Sequence, residues 1–223
     1  MFLVSAVCGP LAANCYLLAA APGRECVIID PGQEAAGPVR SLVERHHLTP
    51  AAVLATHGHL DHIADAAALA DHYDVPVWIR SEDRHLLADP AAGLGDDFAA
   101  WLALALPQGL GEPARVELFD GHDTLDVAGL TLQVTYAPGH TAGSVLFTLA
   151  ETPLVFTGDV LFAGSIGRTD LPGGDPATML ATLRGPVLAL PDAARVLPGH
   201  GPESTMARER AANPYLQRSF LHN

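Results

Sequence analysis

The chain is 223 residues long, 49% apolar and 17% charged, a balance that excludes a disordered chain and lets one domain bury roughly 70% of its unfolded surface without disulfides. Its twelve basic residues are all arginine, and against twenty-five acidic residues they leave a net charge of −13. That charge repels phosphate backbones and argues against nucleic acid as a partner.

In chain order, Phe2–Val7 and Asn14–Ala19 read as a pair of strands, followed by Cys26–Asp30 after the Pro22-Gly23 turn. Met1–Pro22 carries no charged side chain, yet it lacks the positive start of a secretory signal, and Pro10 and Asn14 break its apolar run. It is also too interrupted to span a bilayer. Cys8, Cys15 and Cys26 are odd in number and show no Cys-x-x-Cys spacing, so they read as buried reduced thiols of a cytoplasmic protein with no membrane partner. Helix is expected at Val39–His47, strand at Ala51–Ala55, an alanine-rich helix at Asp61–Tyr73 and strand at Val75–Ile79. Ser81 is a candidate cap for a short helix with acidic residues in its first turn.

Residues 90–113 are bounded by glycine and proline and read as an insertion near the active site carrying one short helix, with Phe98, Trp101 and Leu102 assigned to packing or to the border of that site. Strands are then expected at Val116–Phe119, Thr124–Val127, Leu130–Ala137, Ser144–Leu149 and Leu154–Thr157. Asp175-Pro176 is a helix start, with Gly185-Pro186 expected to stop that helix after Arg184. A strand at Ala194–Leu197 and a helix from Glu203 to Ala212 complete the pattern. No repeat or linker divides the chain, so residues 1–223 are read as a single domain of two sheets covered by helices on the outside.

Chemistry concentrates at His57-Gly58-His59-Leu60-Asp61-His62, directly after the strand at Ala51–Ala55. Residues two apart in an extended segment point the same way, so His57 and His59 can converge on one metal ion. A turn into helix swings Asp61 and His62 towards a second ion, and imidazole nitrogen with carboxylate oxygen suits zinc, iron or manganese. Three further strands end in a potential ligand within a glycine-containing turn: Gly139-His140, Gly158-Asp159 and Gly199-His200. His46, His47, His72, His85, His122 and His222 lack this context and are assigned to surface or capping roles. Arg168 is expected to pair with carbonyls or a carboxylate such as Asp170, with substrate binding as the alternative.

The ordered set His57-x-His59-x-Asp61-His62, His140, Asp159, His200 resembles the metallo-β-lactamase fold superfamily. The likeness runs from Asn14-Cys15-Tyr16 and Asp30-Pro31-Gly32 to Asn213-Pro214-Tyr215. Gly158-Asp159 through Arg168-Thr169-Asp170 is similar to the single-domain glyoxalase II-like hydrolases. The resemblance implies an α/β (α+β) fold, a four-layer αββα sandwich of two mixed sheets with its metal site at one sheet edge. It implies that His57, His59 and His140 bind one divalent metal ion, that Asp61, His62 and His200 bind a second, and that Asp159 bridges them. Zinc is the leading candidate, with iron or manganese as alternatives. Many β-lactamases of this fold have cysteine where this chain has Asp159, and its nucleases generally carry basic elements absent here.

The implied activity is hydrolysis of a small-molecule thioester, such as S-lactoylglutathione, by metal-activated hydroxide that Asp61 also orients. A thiolate leaves without a strong general acid, because a thiol pKa is near 8.5. Larger glyoxalase II enzymes hold glutathione with a C-terminal helical domain, so the identity of the thiol stays open. The alternative is a mononuclear iron persulfide dioxygenase, a branch that usually has cysteine at the position of Ile166.

Overall fold

A computed structural model describes residues 1–95, 98, 100, 102, 110–119, 124–149 and 152–221. Strands β1 (Phe2–Cys8), β2 (Ala13–Ala19), β3 (Glu25–Ile29), β4 (Thr49–Leu54), β5 (Val77–Arg80) and β6 (Val116–Phe119) lie side by side in that order. The first three are antiparallel, and β3 to β6 run parallel. A second sheet has the order β12-β11-β10-β9-β8-β7, from β7 (Thr124–Val127), β8 (Leu130–Tyr136), β9 (Val145–Leu149), β10 (Leu154–Gly158), β11 (Arg195–Pro198) and β12 (Ser204–Thr205). Only β10 and β11 pair in parallel there.

The layers follow from strands that are apolar on both faces. In β2 and β3, Tyr16, Leu18, Val27 and Ile29 face the second sheet and meet Phe147, Phe156 and Leu197. Their neighbours Leu17, Ala19, Cys26 and Ile28 face α1 (Ala36–His46) and α3 (Ala66–Tyr73). Beyond the second sheet, Leu146, Val155 and Val196 pack under α4 (Pro176–Thr182) and α5 (Met206–Ala212) through Met179 and Met206. Period-two burial on both sides of each sheet gives two mixed sheets between helical layers, as the sequence resemblance implies. All three cysteines are buried and unpaired.

Several elements differ from the sequence expectation. The helix expected over Asp61–Tyr73 is two helices, α2 (Leu60–Ile63) and α3, because Asp65 between them accepts the Ala36 N–H at 2.7 Å and joins α1 to this turn. Ser81 caps no helix; its hydroxyl bonds Glu82, and the short 3₁₀ turn Arg84–Leu87 begins after Asp83. Gly185-Pro186 does not end its helix, since the chain widens into a π-turn over Leu183–Val187 that accommodates the missing proline N–H. The last long helix begins at Met206 because Ser204–Thr205 pairs with β11, and Thr205 then caps it. Asp175 does cap α4, accepting the Thr178 N–H at 2.5 Å. Trp101, His122 and His222 lie outside the described residues.

Candidate metal centre

The ends of β3, β4, β10 and β11 and the β8–β9 connection meet at one edge of the sandwich. After β4 the chain bends at Thr56 and His57 and is extended at His59, and α2 then turns Asp61 and His62 to another side. His140 comes from the β8–β9 connection, Asp159 follows β10 and His200 follows β11. The two sheets are tied together there: the Asn14 N–H donates to Gly199 O at 2.7 Å, and the Tyr16 hydroxyl donates to Pro198 O at 2.7 Å. Gly199 is required by close approach, because a Cβ there would overlap the Asp159 carboxylate and lie 2.7 Å from His62 Cε1.

All seven residues singled out in the sequence converge. Donor atoms of His57, His59 and His140 lie within 4.8 Å of one another, and so do those of Asp61, His62 and His200. Asp159 lies between the groups: its Oδ2 is 3.5 Å from His140 Nε2 and 3.6 Å from His200 Nε2, and its Oδ1 is 3.4 Å from His62 Nε2. Four imidazoles have their Nδ1 engaged behind the site, by Thr56 Oγ1 for His57, Asp30 for His62, Arg168 O for His140 and Leu11 O for His200. Such partners fix the tautomer and leave Nε2 for a metal. His59 is turned the other way, its Nδ1 standing 2.8 Å from His140 Nε2.

Buried polar atoms are nearly always paired. Here His57 Nε2, His59 Nε2 and Asp159 Oδ1 are buried without a hydrogen-bond partner. A convergent set of imidazole nitrogens and carboxylate oxygens with unsatisfied lone pairs fits a pair of divalent cations.

Electrostatics divide the groups. Burial, aided by the neighbouring imidazoles, holds His57 well below its ordinary value, His59 down to about 3 and His140 down to about 4. Burial acts on His62 in the same sense, but Asp159, Asp61 and Asp30 outweigh it and raise His62 to about 10. Burial likewise pushes Asp61 up, and here His62 and His200 win and hold it well below the carboxylate range. Asp159 is raised, chiefly by burial.

Three supporting residues were assigned no role from the sequence. Asp30, at a positive φ of 52° after β3, accepts the Thr56 N–H and hydroxyl, both at 2.7 Å, and the His62 Nδ1–H at 3.1 Å. Its signal was present, since it too follows an apolar strand directly. Thr56 relays that carboxylate to His57. Asp83 accepts from the N–H of Gly58 at 2.8 Å, the N–H of Gly143 at 2.7 Å and the Thr141 hydroxyl at 2.6 Å. One buried carboxylate thus joins the loop of His57 and His59 to the loop of His140. Nothing local in the sequence marks it.

Elsewhere, Arg168 forms a two-pronged pair with Asp170 at 2.7 and 2.8 Å. His47 ends α1 in the left-handed conformation, and His46 packs its ring on Phe2. Phe98 is 43% exposed and lines a cavity above the site, so this insertion does border it; Leu102 is buried as expected. That cavity holds about 840 Å³, with His59, Asp61, His140, Asp159 and His200 on its floor.

The family model for the metallo-beta-lactamase superfamily matches residues 8–200. The chain belongs to that superfamily. An uncharacterized protein of Mycobacterium tuberculosis is 43% identical, covering 97% of this chain and 98% of its own length. A probable metallo-hydrolase of Bacillus subtilis is 36% identical, covering 93% and 94%. The hydroxyacylglutathione hydrolase GloC of Haemophilus influenzae is 36% identical, covering 86% and 88%. Among solved structures, BLEG-1 B3 metallo-beta-lactamase superposes with a TM-score of 0.85 at 36% identity, covering 97% of this chain and all of that one. TTHA1623 in a di-iron-bound form gives 0.79 at 37% identity with the same coverage. ETHE1 from Myxococcus xanthus gives 0.78 at 26% identity, covering 100% and 89%. The chain thus combines membership of that superfamily with a histidine-rich cluster able to hold metal ions, and a probable metallo-hydrolase is among its relatives.

Proposed function

We propose that this chain is a dinuclear metal-dependent hydrolase of small-thiol thioesters, acting in the cytoplasm, where its three free thiols stay reduced. The observation that carries the reading is Asp159, a carboxylate within 3.4–3.6 Å of imidazoles from both donor groups. His57, His59 and His140 would hold one cation and Asp61, His62 and His200 the other, with Asp159 placed to serve both; zinc is the leading ion. When bound, such cations supply Lewis acidity for a carbonyl oxygen and lower the pKa of water towards about 7.

The chain's own residues do the rest. Asp61 stays ionised at neutral pH and can accept a hydrogen bond from the attacking water, fixing its direction. A substrate that fills the cavity would displace water from the reacting carbonyl, which would strengthen each electrostatic interaction there. No protonating acid is needed for a thiolate, whose conjugate acid has a pKa near 8.5. The relationship to GloC supports thioester chemistry.

The test combines metal analysis with thiol release from a panel of small-thiol thioesters that includes S-lactoylglutathione. Two metals per chain with thiol release is the expected result. The likeness to ETHE1 favours one other reading, an iron persulfide dioxygenase. One iron per chain, with oxygen uptake on glutathione persulfide and no thiol release, would replace the hydrolase reading by that one.

A further inference from the structure

The wall of the cavity is apolar on each side of the donor cluster. Phe162 meets the His200 ring edge-on at 6.0 Å, and Leu11, whose carbonyl accepts from His200, stands beside it. Leu94 and Phe98 rise on the side of His59, next to Gly93, whose Cβ position lies 3.2 Å from the His59 ring. Leu171 stands near Arg168, the residue whose carbonyl holds His140. Leu11 is 55% exposed and Phe98 43% exposed, so both leave apolar surface open towards the cavity. An apolar group entering there removes that exposure.

Positive charge on the wall is scarce. The sequence has no lysine, and among the described residues Arg168 is the only guanidinium lining the cavity. Both prongs of Arg168 are already on Asp170, in a solvated pair. Exchanging one exposed carboxylate for another gains almost nothing. Among the described residues a tripeptide thiol with two carboxylates therefore finds no unengaged cationic side chain on the lining, whereas an alkyl chain finds Leu11, Leu94, Phe98, Phe162 and Leu171.

We propose that the site selects its thioester by an apolar acyl chain, carried on a small thiol whose carboxylates, if any, are not recognised. This rests on the thioester reading above. It predicts that activity tracks acyl length rather than thiol identity.

The experiment uses the purified metal-loaded chain and acetyl, butyryl and hexanoyl thioesters of N-acetylcysteamine, with hexanoylglutathione and S-lactoylglutathione as the charged-thiol pair. The expected kcat/KM rises by up to about fourfold per methylene, the worth of burying one CH₂. Hexanoyl-N-acetylcysteamine should equal or exceed hexanoylglutathione, and S-lactoylglutathione should be among the poorest. Leu11→Ser and Phe98→Ser, both at exposed positions, should flatten the length dependence by lowering hexanoyl turnover more than acetyl. A second readout needs no turnover: by calorimetry, S-hexyl-N-acetylcysteamine should bind at least roughly tenfold tighter than the S-ethyl thioether. A flat length dependence with no difference between the thioethers, or a tenfold preference for the glutathione thioester of the same acyl group, overturns the inference while leaving thioester hydrolysis standing. No thiol release from any of them, with two metals bound, overturns both readings together.

Discussion

The two donor groups at the sheet edge are built from different charge states. His57, His59 and His140 are all imidazoles, buried, and neutral because burial holds their pKa values down, to about 3 for His59 and about 4 for His140. Asp61, His62 and His200 contain a carboxylate, and His62 sits among Asp159, Asp61 and Asp30, which raise it to about 10. The first group has its lone pairs ready for a cation. The second is a salt-bridged cluster in which a cation must displace a proton. Local chain geometry causes the difference: the segment after β4 aims two imidazoles together, and the helical turn after it sets an aspartate beside a histidine that a third carboxylate supports from behind.

Removing the residue between the groups should erase the distinction most completely. Asp159→Ala deletes a carboxylate that faces His62, His140 and His200, so metal content and turnover should be lost together. Metal analysis beside a thioester assay checks this. A variant that keeps two metals and full turnover would show that Asp159 does not bridge.

A smaller effect separates the groups. Among the described residues, the hydrogen bonds that the Asp83 carboxylate accepts come from the loops of the all-imidazole group, through Gly58, Thr141 and Gly143. In Asp83→Asn the new NH₂ must face at least one N–H or hydroxyl donor, loosening both loops while conserving volume. Orienting partners of this kind are worth about 10–100-fold in metal affinity. Chelator competition should show that loss for one equivalent of metal and not for the other, with thermal unfolding confirming that the fold persists. Equal losses at both equivalents would mean that Asp83 supports the site only through general stability.

Asp83 also marks the limit of what the sequence could reveal. Each of the seven donors follows an apolar run at a strand end, so local pattern was enough to collect them, and Asp30 carried the same signal at the end of β3. Asp83 sits after β5 and bonds residues 25 and 60 positions away, a relation no local pattern encodes. The helix errors have the same origin. The break between α2 and α3 is stabilised by Asp65 reaching α1, and the π-turn at Gly185-Pro186 is covered by the core around Leu183 and Val187; tertiary partners override local propensity in both.

The subtlest expected effect is a count of protons. At pH 7 the all-imidazole group is unprotonated, because its pKa values are lowered from 6.5 to about 3 for His59, about 4 for His140, and well below 6.5 for His57. His62 is raised from 6.5 to about 10 and carries its proton in the metal-free chain at pH 7. A metal ligand must be deprotonated, so the first equivalent of metal, entering the neutral group, should release no proton at pH 7, and the second should release at least one, because burial lowers the His200 imidazole but Asp61 and Asp159 outweigh it and raise it as well. Calorimetric titration in buffers of different ionisation enthalpy measures both numbers. At pH 5 the first equivalent should still bind, since protons do not yet compete at His59 and His140, while the second weakens by about tenfold per pH unit below pH 7. The same raised pKa has a sign for stability: His62 contributes fully below about pH 6.5, and its contribution is lost as pH rises through about 10, so the metal-free chain should melt progressively earlier across that interval. Release of a full proton by the first equivalent, or by neither, would mean that the two groups do not differ in charge and that the contrast between them is wrong.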